Sequence, residues 1–296
     1  VVLQEIILLN QFYRKIKSAI MKNQLIPSLW FDNNALEAFE YYAEVFPNST
    51  VYKNSPIVVE GAIMGIDFIG INGGPHFKPN NAISFMHVLQ DRETIDRIWG
   101  RLSVGGTVLM ALDSYPWSEY YGWITDKYGI GWQLYLGKLE DVNGQAVIPT
   151  LMFCGEQQGK CAEALAFYKN VFKNFEQQGA HPYPDGEVRG QIMHAQFIVN
   201  GLTLAAMDSG YPQDFTFNEA VSITITCKDQ EEIDYYWNAF TKDGKESQCG
   251  WCKDPFGISW QIVPENISKL LEANPSAGAA LMKMKKIVID ELVNAN

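Results

Sequence analysis

Apolar positions along this chain of 296 residues follow two periods that alternate in the same order twice. Ile26 to Phe31 is a short apolar run that reads as a strand, and Asn33-Asn34 after it reads as a cap. Leu36, Phe39, Tyr42 or Ala43, and Phe46 then recur at the spacing of a helix with one buried face, which Pro47-Asn48 ends. Residues 50 to 72 are β-rich and broken by glycines, Gly73-Gly74-Pro75 marks a turn, and Ala82 to Val88 is another strand. Glu93 to Leu102 carries Ile95, Ile98, Trp99 and Leu102 on one helical face, and three further short strands finish near Leu136.

The same order returns in the second half. Gly250 to Val263 and Gly122 to Tyr135 are identical at seven of fourteen positions: two Gly, two Trp, Asp, Ile and Gln. The chain is therefore a tandem repeat. Each copy of this stretch reads as strand, Asp-x-aromatic-Gly turn and strand, and alternation puts Ser259, Gln261 and Val263 on one face with Trp260 and Ile262 on the other. The register can be followed elsewhere, with Tyr42, Val45 and Phe46 matching Tyr168, Val171 and Phe172, and Glu93, Ile95, Asp96 and Trp99 matching Glu231, Ile233, Asp234 and Trp237.

Changes of offset mark insertions. The second copy gains residues around 155 to 160 and between 173 and 208, so the shorter stretch 50 to 72 is expected to have lost or fused a strand. The first copy gains Met110 to Tyr121, where Asp113, Trp117, Glu119 and Tyr121 could cap a cleft. The expected organisation is an extension (1–23), a first domain (24–137), a polar linker (138–147), a second domain (148–265) and a helical tail (266–296). The two domains should superpose except at 50 to 72 and 107 to 121, and the linker is the expected site of proteolysis. In the tail, Leu281, Met284, Ile287 or Val288, and Leu292 predict one amphipathic helix. Met21 reads as a start, with the preceding residues an upstream extension or a frayed amphipathic helix.

A net charge of −11 with no basic stripe excludes nucleic acid and anionic membrane surfaces as expected partners. The run Ile6 to Leu9 is too short to span a bilayer and has its basic residues on the wrong side for a secretory signal. Five cysteines without a disulfide-like spacing point to a reducing, cytoplasmic setting.

Asn72-Gly73-Gly74-Pro75-His76-Phe77, Asn218 to Ser222, Glu232 to Trp237, Cys249 to Val263 and the tail Ala280 to Ile287 together resemble the PhnB-like family. This is a branch of the glyoxalase/bleomycin-resistance/dioxygenase (vicinal oxygen chelate) superfamily that carries the description 3-demethylubiquinone-9 3-methyltransferase. The resemblance implies an α+β fold of two tandem glyoxalase-like domains, each of paired βαβββ modules forming a curved sheet around a cleft, plus a C-terminal helix. Single-copy relatives pair as dimers, so the tandem copies imply intramolecular domain pairing and a monomer.

Metal-using members of the superfamily place four ligands, usually His, Gln or Glu, on the cleft faces of four strands. By resemblance, Gln133 and Gln261 fall where the last strand holds its Glu, while Ser84 and Ser222 stand where His is expected. The first strands offer Ile, Pro or Ser, and the remaining position is apolar. A neutral amide is a weak ligand, so neither a metal nor a cofactor is expected. Cys249-Gly250-Trp251-Cys252 is a C-x-x-C, but it enters a strand instead of opening a helix, and the first copy has nothing equivalent. His76 and His181 read as loop residues, His87 lies beside a strand and His194 within one; none has a nucleophile and an orienting acid beside it. No G-x-G-x-x-G offers an S-adenosylmethionine site.

The expected function is binding of a small, partly aromatic or apolar molecule near Gln261, Ser222, Thr224 and Trp251, with Gln133, Ser84 and Trp123 as the first copy's counterparts. The second copy is favoured, because the shortened first copy is expected to have a narrowed cleft. The competing expectation is a metal-assisted enzyme acting on a small oxygenated substrate.

Overall fold

The structure, a computed structural model, describes residues 25–296, so the readings of Met21 and of the leading segment fall outside the described residues. Four modules follow one another. The first is β1 (Leu25–Phe31), α1 (Ala35–Val45), β2 (Thr50–Asn54), β3 (Val58–Ile63) and β4 (Ile66–Asn72). The second is β5 (Ile83–Leu89), α2 (Arg92–Leu102), β6 (Thr107–Tyr115), β7 (Ser118–Thr125) and β8 (Gly131–Leu136). The third is β9 (Val147–Phe153), α3 (Cys161–Val171), β10 (Phe175–Pro182), β11 (Ile192–Val199) and β12 (Leu202–Asp208). The fourth is β13 (Val221–Cys227), α4 (Gln230–Thr241), β14 (Lys245–Glu246), β15 (Trp251–Lys253) and β16 (Ser259–Pro264). No helix among the described residues is long and apolar enough to cross a membrane.

The modules form two eight-stranded sheets, and each sheet draws on both copies. Sheet A runs β14-β15-β16-β13-β1-β4-β3-β2, and sheet B runs β10-β11-β12-β9-β5-β8-β7-β6. The first module therefore pairs with the fourth, through antiparallel β1 and β13, and the second with the third, through β5 and β9. The α+β glyoxalase-like fold of paired modules is as the sequence implied, but the modules that share a sheet come from different copies. No strand is lost in 50 to 72 either. The length difference lies between β10 and β11, where a longer β10 and the loop 183 to 191 stand in place of β2 and the short connection 55 to 57 of the first copy; the next turns match, with Met64 (φ 48°) and Gly65 (φ 80°) answering Asn200 (φ 47°) and Gly201 (φ 84°).

The helices α1 to α4 pack on one face of the sheets, and the core joins modules of the same copy. Ala35, Ala38, Phe39, Tyr42 and Val45 of α1 are buried. A Cβ added at Gly70 of β4 would approach the Phe39 ring to 2.7 Å, so glycine lets this helix lie close. Tyr42 bonds Asp126, in the turn before β8, and its ring meets Trp132 of β8 at 5.1 Å. The Asp-x-aromatic-Gly turn of the repeat has a physical cause. Oδ1 of Asp126 accepts the N–H groups of Tyr128 and Ile130, and Oδ1 of Asp254 those of Phe256 and Ile258, while Gly129 and Gly257 take φ near 87° and 85°.

The segment after each copy's last strand folds back on its sheet. The expected linker makes a 3-10 turn at Leu139–Val142, and Val142 and Leu139 pack with Val88, Ile148, Ala205, Met86 and Tyr135 on the helix-free face of sheet B. Gln196 of β11 donates to the Asp141 carbonyl, which pins this turn. After β16 the tail forms α5 (Ile267–Ala273), α6 (Ala277–Leu281) and α7 (Ile289–Val293). The single helix expected over Leu281 to Val293 is thus broken, although Met284, Ile287 and Leu292 are buried together with Ala277. Tail side chains pack on Val263, which faces away from the core on β16, and Glu272 of α5 reaches Lys53 of β2 at the far side of sheet A.

Candidate ligand clefts

Alternation decides which side chains meet on the faces turned away from the core. In β13, Val221, Ile223, Ile225 and Cys227 enter the core, so Ser222, Thr224 and Thr226 face away from it. The register places Ser222 beside Ser259, Thr224 beside Gln261, Ser28 beside Ser222, and Trp251 beside Gln261. Gln261 Nε2 donates to Ser222 Oγ at 2.9 Å, and the Ser28 and Thr224 hydroxyls lie 2.8 Å apart. All these polar residues are buried. Gln261, Ser222, Thr224 and Trp251 are thus brought together, and Ser28 and Ser259 complete a floor that the sequence reading left unassigned. Alternation from Gln261 already put Ser259 on this face; Ser28 needed the β1–β13 pairing, which links opposite ends of the chain.

Aromatic rings stand along one side of this floor. Trp30 meets Phe77 at 5.0 Å and Trp251 at 6.0 Å, both edge-to-face, and its Nε1 donates to the Gly74 carbonyl. A Cβ on Gly73 would sit 1.8 Å from the Trp30 ring, so the Gly73-Gly74 turn is what lets the loop close over the indole.

Sheet B repeats the arrangement with different walls. Gln133 Nε2 donates to Ser84 Oγ at 2.8 Å, Trp123 lies opposite Gln133, and Thr150 lies opposite Ser84. Tyr121 donates its hydroxyl to Gln133 Oε1 at 2.8 Å, and burial raises its pKa. Cys249 stands at the corresponding place in sheet A, two residues before Trp251, and offers no phenol to Gln261. The inserted segment 110 to 121 is a hairpin extension whose Tyr115 stacks on the exposed Trp117 at 5.1 Å and meets Tyr121 edge-on. Of its candidates, Tyr121 bonds Gln133 on the outward face, whereas Glu119 and Asp113 are exposed.

Each floor retains one buried group without a partner. Ser259 Oγ in sheet A and Trp123 Nε1 in sheet B have no hydrogen-bond partner among the described residues. An unsatisfied buried donor of this kind costs about 1–3 kcal/mol, which a ligand oxygen would recover.

The histidines and cysteines lie elsewhere. His87 is in β5 on the core side, stacked on Phe46 at 4.4 Å, with Nδ1 against Met64 Sδ, and burial lowers its pKa to about 3, so it is a neutral core group. His181, read as a loop residue, is in β10 opposite His194. All five cysteines are free thiols, and Cys252, Cys154 and Cys161 are buried. Burial raises the Cys252 pKa, which leaves the C-x-x-C without a thiolate suited to redox work.

The sequence matches the family described as 3-demethylubiquinone-9 3-methyltransferase twice, over residues 23–135 and 145–263. The chain belongs to this PhnB-like family. Among solved structures, it is similar to a putative 3-demethylubiquinone-9 3-methyltransferase (PhnB protein) from Bacillus cereus, at 30% identity over 38% of this chain and 98% of that one, with a TM-score of 0.36. Glyoxalase I from Zea mays is similar in fold across most of the length, with 12% identity, 84% of this chain and 96% of that one covered, and a TM-score of 0.55. A point mutant of the same Zea mays enzyme gives 13% identity, 85% and 96% coverage, and the same TM-score of 0.55. No curated protein matches the sequence.

The superfamily's metal does not fit these floors. Sheet A offers hydroxyls, one amide and, beside Ser28, the aliphatic Ile69; sheet B offers Ser84, Thr150, Gln133 and, beside Thr150, Ala205. Both glutamines already commit their N–H to a serine, and no group of three His, Cys, Asp or Glu side chains suited to a metal occurs among the described residues. Neutral hydroxyls and one amide are a poor donor set for Zn, Ni or Fe.

Proposed function

We propose that this PhnB-like chain binds a small, partly aromatic or apolar molecule bearing an acceptor oxygen, on the face of sheet A turned away from α1 to α4 and without a catalytic metal. The observation that carries this reading is Ser259 Oγ, buried beside Ser222 and Gln261 and without a partner among the described residues. A cleft of convergent neutral polar groups beside aromatic walls suits recognition of a neutral polar tip on a flat body. Trp30, Trp251 and Phe77 supply the walls, and the hydroxyl floor supplies the tip's partners. Both copies build this site, since Ser28 and Trp30 come from the first and Gln261, Ser222, Ser259 and Trp251 from the second.

Metal-assisted catalysis draws no support from the donor set, and methyl transfer rests on the family description alone. The test is saturation-transfer NMR of the chain against simple phenols, aromatic amides and alkylbenzenes. Phenols and amides that lose their signal in Ser259→Ala support the reading. Equal binding of alkylbenzenes and phenols, unchanged by Ser259→Ala, overturns it.

A further inference from the structure

The outward face of sheet B carries a row of soft and borderline donors away from the Gln133–Ser84 floor. In β11, Ala195, Phe197 and Val199 enter the core, so His194 and Gln196 face away from it. His181 of β10 lies directly opposite His194. On the other flank β12 runs antiparallel with Ala195 opposite Ala206, so the next position places Met207 opposite His194. Met207 is in turn paired with Met152 of β9. The row across four neighbouring strands is therefore His181, His194, Met207 and Met152, of which Met152 is buried in the hydrophobic core and Met207 is half-buried against it.

Three features separate this row from ordinary sheet packing. Directly opposite neighbours in antiparallel strands have their Cβ atoms about 4.5–5.5 Å apart, which brings His181 and Met207, on either side of His194, within reach of one ion over His194. The rings are close enough that the charge of His181 adds to burial in lowering the His194 pKa. Among the described residues, no hydrogen bond engages either imidazole, while Gln196, the next outward residue of the same strand, donates from its amide nitrogen to both the Asp141 carbonyl and Gln178 Oε1. His181 is exposed and His194 and Met207 are half-buried, so the row opens to solvent at its histidine end.

We propose that His181, His194 and Met207 form a binding site for Cu(I). Two imidazoles with a thioether and no carboxylate in the row select a soft monovalent ion over Zn(II), Mg(II) or Mn(II). The long, flexible Met207 side chain can reach over the central His194. The site is independent of the ligand cleft on sheet A and uses none of its residues.

The test is anaerobic competition for Cu(I) against bicinchoninate, in a Cys249→Ser background. That background matters because Cys249 Sγ lies 3.6 Å from Met282 Sδ and makes a second soft pair. The parent should take up one equivalent of Cu(I). His194→Ala and Met207→Leu should each weaken it at least as much as the ~10–100-fold that losing even a partner of a metal ligand costs. His181→Ala, at an exposed position that cannot upset the core, should do the same. X-ray absorption should show nitrogen and sulfur scatterers together. Unchanged Cu(I) affinity in His181→Ala and Met207→Leu, or a sulfur-only shell that would place the ion on cysteines, overturns the proposal.

Discussion

Tyr168 donates its phenolic hydrogen to Oδ2 of Asp254 at 2.6 Å, joining a helix of the third module to the last turn of the fourth. Trp260 Nε1 donates to the same oxygen at 3.0 Å, and Tyr42, Trp132 and Asp126 repeat the arrangement in the first copy. Each carboxylate thus gathers four donors from two modules of its own copy. In Asp254→Asn the amide nitrogen would face two donors it cannot accept from. A loss of about 3 kcal/mol or more in urea denaturation is expected, since each buried donor left unpaired costs about 1–3 kcal/mol.

The same carboxylate makes stability depend on pH. Burial, outweighing the donors, raises the Asp254 pKa from an ordinary 3.8 to about 6. A carboxyl group whose folded pKa is raised contributes stability that is fully present below its unfolded pKa and is lost as pH rises through the folded value. Two pKa units correspond to roughly 3 kcal/mol. Calorimetry of the wild type should therefore show stability falling, relative to Asp254→Asn, between about pH 4 and pH 7, and a flat difference would refute the linkage.

Replacing Gln261 with Leu removes the donor to Ser222 without touching the core face of β16. Ligand binding on sheet A should weaken, while the fold loses only about 1–3 kcal/mol from the unpaired Ser222 hydroxyl. Isothermal titration with a phenol identified by NMR, alongside urea denaturation, reads both quantities. Wild-type affinity in this variant would remove Gln261 from the site.

A protease site engineered into 138 to 146 should be cut without releasing two bodies. Both sheets are continuous across the copies through β1–β13 and β5–β9, so the fragments should stay together in gel filtration until denaturant is added. Separation under native conditions would mean that the exchanged pairing contributes little to stability.

The chain should sediment as a monomer of 33.4 kDa. Both inter-module strand pairings are already met within one chain, and a short covalent connection raises the effective concentration of the second copy over any external one. A concentration-dependent dimer would reveal a surface that the exchange leaves unpaired.

What could be read in advance was local. Period-two alternation put Ser222, Thr224 and Gln261 on one face and the buried Trp260 on the other, because a strand's faces are set by its own sequence. Which strand lies next to β1 depends on a partner 196 residues away, as the Ser28–Thr224 contact shows, and no local period encodes that. The spacing of Leu281, Met284, Ile287 and Leu292 did report burial, with Met284, Ile287 and Leu292 all inside. It did not report a continuous helix, since residues 282 to 288 lie outside any helix and Val288 is extended at φ −113°. His181, read as a loop residue, lies in the ladder opposite His194, because β10 runs on through the irregularities at Gln177/Gly179 and His181/Pro182.

The placement of the two segments that follow β8 and β16 has a practical corollary for anyone handling the protein. Because the residues after β16 pack on Val263 and reach Lys53, an affinity tag or a truncation at the carboxyl end perturbs the surface around Gln261 while sparing that around Gln133. An epitope inserted near Asp141 does the reverse, since it lifts Leu139 and Val142 from Ile148 and Ala205. The two faces can thus be addressed separately from two points of one polypeptide, although neither face belongs to one half of it.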